Sequence, residues 1–265
     1  MRELDRIVKR NPGISAIRAR RRVRQLNVSS RTVRRYLRHL GWRTIRTKYC
    51  QFVSNKNRYE RFIYSMICMR THERFLNFIF CDECTVHLVR HGSFYRAKEA
   101  PNQMRLVGRY SHEASVHIIG AISRRGRTQL IIFTNNLNSR GLQALCDQFL
   151  LPFIGQMYPY HHRLYLDGAG HHTSYDTRAY FRNSNVNLAV HPAQSPDFNP
   201  IELVWNDLKY YLKQKIKPNN VEELVLGINR FWETKVTVEY CNSKIDHLDT
   251  VLKRAIVLRG MATGI

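Results

Sequence analysis

Three acids stand at positions where a carboxylate is costly unless it is used. Asp82 follows the apolar run FLNFIFC, Asp167 follows HRLYL, and Glu202 lies within AQSPDFNPIELVWNDLK. An acid directly after a buried strand must be solvated, paired or holding a cation. Pro200 suits the start of a helix, which puts Glu202 in its first turn with the side chain near the sheet edge. Three converging carboxylates are what hard divalent cations need: oxygen ligands with positions left open for water and phosphate. Two such ions about 4 Å apart activate an attacking oxygen and stabilise a leaving one in phosphoryl transfer. Any one of these acids alone reads as a helix cap. The three together, on a basic chain, do not.

The elements that must position them follow from hydrophobic patterning. Phe75–Asp82, Ser115–Ser123 and Leu164–Asp167 are apolar runs that end in polar or small residues, the pattern of strands buried in a mixed sheet. Helical periodicity covers Asn57–Glu73, Ser139–Gln156, Thr173–Asn183, Ile201–Lys215 and Val221–Trp232. Strands first, then strand alternating with helix, predict an α/β layer domain, with residues 55–265 as one unit. Trp205 and Leu208, beyond Glu202, read as core packing, and Asp197 as part of the turn before Pro200.

The first fifty residues are different in kind. They hold sixteen Lys/Arg and two acids, a net of +14 out of +23 for the 265-residue chain. Charge so concentrated points to a polyanion, because Lys and Arg at phosphates release condensed counterions. Ser15 can cap a helix over Ala16–Leu26 with Ile17, Ala19, Val23 and Leu26 apolar. Asn27–Ser30 makes a turn, and a second helix runs from about Arg31 to Leu40 with Val33, Tyr36, Leu37 and Leu40 on one face. Gly41 ends it. Arg31, Thr32, Arg34, Arg35 and Arg38 then point outward, so the pair is either a helix-turn-helix that reads a DNA major groove or an αα-hairpin with a solvated basic face. The serine-rich turn and arginine density favour the first. The basic stretch from Trp42 to Ser54, with Arg43, Arg46 and Lys48, lacks a period and reads as a linker lying along phosphates. Residues 1–54 are thus a small all-α DNA-binding domain with its linker.

Several classes are poorly supported. No apolar run approaches the roughly 20 residues that cross a bilayer, and MRELDRIVKRNPG has no apolar signal core. The six cysteines, at 50, 68, 81, 84, 146 and 241, are scattered in a way that suits reduced, buried thiols. Cys81 and Cys84 with His87 and His91 hint at zinc, but only two residues separate the pairs where a finger has about twelve. Cys81 is also expected to face away from Asp82, and Cys84 to lie just past the strand's end.

FCDECTVHL, LYLDGAGHHTSYDTRAYF and SPDFNPIELVWNDLK resemble the three catalytic blocks of the Tc1/mariner transposases, members of the DDE superfamily with an RNase H-like fold. Thirty-four residues separate Asp167 from Glu202, the arrangement of the Tc1 branch. The resemblance spans nearly the whole chain and implies a nuclear DNA transposase that uses two Mg²⁺ or Mn²⁺ ions. Such an enzyme recognises terminal inverted repeats in double-stranded DNA, as a homodimer on DNA, and cuts and joins strands with no covalent enzyme intermediate. It also implies that Asp82 bridges the two ions, with Asp167 and Glu202 each completing one side, and that Glu83 is a neighbour and not a ligand. His172 and Ser174 match a histidine and a serine of the second block; locally they read as a satisfied His and a helix cap. Family members usually carry two helix-turn-helix units, and this sequence has room for one. Gly168 and Gly170 replace small polar and proline residues, and Cys81 and Cys84 stand where serine and lysine are frequent. The other readings are a catalytically silent DNA-binding descendant of a transposase and an RNase H-like nuclease acting on RNA.

Overall fold

The computed structural model describes residues 2–23, 28–44, 51–88, 114–135, 137–166 and 174–264. It divides into two compact units, Met1–Tyr49 and Cys50–Ile265.

The small unit contains three helices: α1 (Arg2–Arg10), α2 (Ala16–Arg22) and α3 (Ser30–His39). Ser15 caps α2 by accepting from the Arg18 amide, and Ser29 caps α3 by accepting from the Thr32 amide. The core is Leu4, Val8, Ala19, Val23 and Val33, closed by partly buried Tyr36 and Leu37. Helix α1 is absent from the sequence reading, although Leu4 and Val8 supply two of the five buried side chains. Leu40 is exposed, against expectation, because α3 has already ended before it, and Ile17, within α2, is exposed as well. Gly41, at φ 86°, makes the left-handed turn that closes α3. Trp42 is not free linker: its indole nitrogen donates to Asp5 at 3.0 Å.

In the large unit Ser54 caps α4 (Asn55–Arg70), two residues earlier at its start and three shorter at its end than the pattern predicts. The sheet comprises β1 (Phe78–His87), β2 (Ser115–Ser123), β3 (Gly126–Arg127), β4 (Ile131–Phe133) and β5 (Arg163–Tyr165). Strand β1 pairs antiparallel with β2 and parallel with β5, in the order β3-β2-β1-β5, with β4 also on β2. A parallel bridge from Leu164 to Leu188 continues the sheet beyond β5. Helices α5 (Ser139–Met157) and α6 (Tyr175–Asn183) follow their strands, and α7 (Ile201–Tyr211), α8 (Val221–Lys235) and α9 (Val238–Val257) complete the chain.

Strand alternation divides the core in two. Phe78, Phe80, Cys84 and Val86 of β1 pack with α4, α7, α8 and α9, whereas Ile79 and Cys81 pack with α5 and α6. The result is a mixed sheet between two helical layers. Cys81 and Cys84 fall on opposite faces, which removes the shared zinc site; His91 lies outside the described residues. All five described cysteines are free and buried. None of the described helices is long and apolar enough to cross a membrane.

Candidate active site

Asp82 does not end its strand. It sits in the middle of β1, and Cys84 is likewise inside the strand and not past it. The run continues as DECTVH because β2 pairs along it from Ile79 to His87, satisfying the backbone whatever the side chains. Asp82 is 7% exposed and by alternation shares the face of Phe80 and Cys84. Its partner across the ladder is Gly120, where a Cβ would come within 3.1 Å of the Trp232 ring and of Leu130. A glycine on β2 thus lets the Trp232 ring of α8 approach the acid's strand without displacing it.

Glu202 reaches the same face from the other side. A 3₁₀ turn (Pro196–Phe198) leads through Asn199 and Pro200 into α7, whose first turn carries Glu202. Ile201, Val204, Trp205 and Leu208 anchor α7 in the core, and Trp205 stacks on Trp232 at 5.6 Å. The 3₁₀ turn is itself fixed. The Arg61 guanidinium, fully buried on α4, donates two 2.7 Å hydrogen bonds to the Asp197 carboxylate and one to the Gly260 carbonyl at 2.9 Å. Thr263 adds its amide and hydroxyl to Asp197. Burial pushes the Asp197 carboxyl up, but the Arg61 hydrogen bonds and charge, with Thr263, hold it below the usual carboxylate range. Asp197 is structural, as its place in the turn suggests.

Asp82 and Glu202 line one pocket of about 380 Å³, with Tyr165, His191, Ser195 and Asn199 among its walls. His191 stacks on Tyr165 at 3.9 Å, and its Nε2 lies 2.6 Å from the Leu166 carbonyl, so that nitrogen carries the hydrogen there. The carboxamide oxygen of Asn199, a residue 2% exposed, has no hydrogen-bond partner among the described residues. Two carboxylates and an unpartnered amide oxygen in one pocket are a hard-oxygen donor set, and they fit a divalent cation of the Mg²⁺ type. Lys209, seven residues after Glu202 on the same flank of α7, approaches Cys84. Burial pushes the Cys84 thiol up, Lys209 opposes this, and Glu202 and Asp82 reinforce it. Lys209 and His191 were not singled out in the sequence; the seven-residue step from Glu202 is the signal that would have found Lys209.

Asp167, His172, Gly168 and Gly170 lie outside the described residues, as do Arg46 and Lys48. Ser174 caps α6, accepting from the Thr177 amide, and shares a hydrogen bond with Ser139. In the small unit Arg31, Arg34, Arg35, Arg38 and Arg43 are exposed, whereas Thr32 is half-buried and its hydroxyl meets the Ser29 capping oxygen at 3.1 Å. The structure thus brings Asp82 and Glu202 together and lays four arginines along α3.

Antiparallel β3-β2-β1 with β5 added in parallel, and an acid on β1 facing another on a helix beyond the sheet, define an RNase H-like α/β protein with a carboxylate pocket. The chain belongs to the DDE superfamily endonucleases, whose sequence family matches residues 77–225. It is homologous to the Tc1 transposase of Caenorhabditis elegans, 25% identical over 251 residues that cover 89% of this chain and 88% of that one. The Tc3 transposase of the same organism is 30% identical over 122 residues, covering 45% of this chain and 37% of that protein. The fold matches the Mos1 transposase in a paired-end complex with left transposon end, with a TM-score of 0.77 at 16% identity over 98% of this chain and 79% of that one. The catalytic domain of Mos1 mariner transposase alone matches with a TM-score of 0.63, at 13% identity over 81% of this chain and 98% of that one.

Proposed function

We propose that the chain is a Tc1-like DNA transposase. Residues 1–54 bind terminal inverted repeats, and residues 55–265 cut the DNA and transfer its strands, in the nucleus and as a homodimer on DNA. The observation that carries this reading is the single pocket shared by Asp82 and Glu202, which come from a central strand and a distant helix. Asp167 completes the set by its place in the chain: it stands two residues beyond Tyr165, as Asp82 stands two residues beyond Phe80, and Phe80 and Tyr165 are partners in the parallel ladder. Asp82, Asp167 and Glu202 would hold two Mg²⁺ or Mn²⁺ ions, which supply Lewis acidity to the attacking and leaving oxygens.

The chain's own residues do the rest. Asp82 is held by its place in the long β1–β2 ladder, opposite Gly120, just beyond the Phe80–Tyr165 pair of the parallel ladder. Glu202 is aimed by the Arg61–Asp197 clamp behind its helix. Lys209 presents positive charge on the flank where a phosphate backbone would leave the pocket, worth one released counterion in binding. In the small unit, Arg31, Arg34, Arg35 and Arg38 line the helix suited to a major groove, while Thr32 serves the cap before it serves DNA.

The test is nicking of repeat-ended DNA in Mn²⁺ at saturating DNA, compared with Asp167→Asn. Wild type should cut, and the variant should bind DNA equally well without cutting. Equal product from both would favour the silent DNA-binding descendant.

A further inference from the structure

Three buried side-chain atoms lack a hydrogen-bond partner among the described residues: Arg58 Nε, Trp205 Nε1 and Asn199 Oδ1. Only Asn199 of these lines the pocket that holds Asp82 and Glu202. Its backbone is fully used, the amide donating to Pro196 and the carbonyl accepting from Glu202. Among the described residues its carboxamide oxygen accepts no hydrogen bond. A buried amide oxygen left unpaired costs the free energy of its lost hydration, and folded proteins rarely retain one without a reason. An apolar residue of the same shape would fill the space between Phe198 and Pro200 at no such cost.

We propose that Asn199 is a further oxygen of the divalent-cation site, its carboxamide binding the cation or a water the cation holds. The inference rests on the proposed metal-dependent reading of this pocket and deepens it. Chemistry favours the assignment: Asn carbonyl oxygens are regular ligands of hard cations, and a neutral one adds coordination without adding to the repulsion between Asp82 and Glu202. Position favours it too. Asn199 precedes Glu202 by three residues, and the Glu202 amide bonds to its carbonyl, so the same turn fixes both side chains. The Arg61–Asp197 clamp holds that turn from behind. Asn199 is thus positioned for the cation and is spared from holding the fold together.

The two roles separate in one set of measurements on the full chain: thermal melting in EDTA, melting in Mn²⁺, and Mn²⁺ affinity by titration calorimetry. Asn199→Leu removes the orphaned oxygen and should melt at or above the wild-type temperature in EDTA, while Mn²⁺ binds about 10–100-fold more weakly, the range seen when groups supporting a metal site are removed. Asn199→Asp keeps the oxygen and adds charge. It should melt lower than wild type in EDTA, bind Mn²⁺ at least as tightly as wild type, and gain at least as much as wild type on Mn²⁺ addition. Asp82→Asn is the control for the site itself. Should Asp82→Asn lose Mn²⁺ binding while Asn199→Leu keeps it, Asn199 is not part of the site and only this inference falls. A wild-type chain that binds no Mn²⁺ overturns both. An Asn199→Leu chain that melts well below wild type in EDTA marks Asn199 as structural and overturns the inference.

Discussion

Arg61→Met tests how the catalytic turn is held. Arg61 is fully buried, and its guanidinium makes two 2.7 Å bonds to Asp197 and one to the Gly260 carbonyl. Methionine fills much of the volume but leaves Asp197 as a buried charge with only Thr263 to serve it. Breaking a buried pair by removing one partner costs about 3–5 kcal/mol. For a unit of this size each kcal/mol lowers the melting temperature by about 2–4 °C, so a fall of roughly 6–20 °C is expected. The double variant Arg61→Met/Asp197→Leu removes both charges and should recover most of the loss. The pH dependence has a definite sign. Asp197 is depressed in the folded wild type, so its contribution is fully present above the unfolded carboxyl value near 3.8 and is lost as pH falls through the lower folded value. Without Arg61, burial is opposed only by the two Thr263 hydrogen bonds, so the Asp197 carboxyl rises relative to wild type. Protonation then relieves the variant, and the gap from wild type should narrow as pH falls from 7 toward 4. Urea melts of both proteins across that range measure it. A loss below about 1 kcal/mol at pH 7, the scale of an exposed ion pair, would refute the reasoning.

Mn²⁺ at a hundredfold excess over its dissociation constant should stabilise the wild-type chain by about 2.7 kcal/mol, and Asp82→Asn should abolish the shift in a thermal melt. Lys209→Gln should lower the slope of log affinity against log salt by about 0.9 on repeat-end DNA, since it removes one phosphate contact; an unchanged slope places Lys209 off the DNA path. Arg34→Ala or Arg35→Ala should weaken repeat binding, or relax preference at one base pair if the side chain reads a base edge, as measured by gel shift on altered repeats. Trp205→Ala removes the stacked partner of Trp232 and should cost about 3–5 kcal/mol in urea melts, with DNA binding by the small unit unaffected.

The sequence by itself determined most of what depends on local pattern. Periodicity located β2 at Ser115–Ser123 and the starts of α5, α7 and α8, and the serines at 15 and 174 announced their caps, because capping and amphipathic faces are properties of a few neighbouring residues. The block SPDFNPIELVW singled out Glu202, with Pro200 and Asp197 in the roles their types suggest. What lay beyond reach was decided by partners distant in the chain. β1 runs five residues past Asp82 because β2 pairs with it to His87, which no local propensity of DECTVH reveals. α1 and α9 escape the reading because their apolar positions make sense only against Ala19 and Val33, or against α4 and the sheet. Nothing in the sequence singles out Asn199. Only the folded chain shows its amide oxygen unpaired in the pocket of Asp82 and Glu202, since an unmet hydrogen bond is a statement about everything that surrounds a side chain and not about the side chain itself.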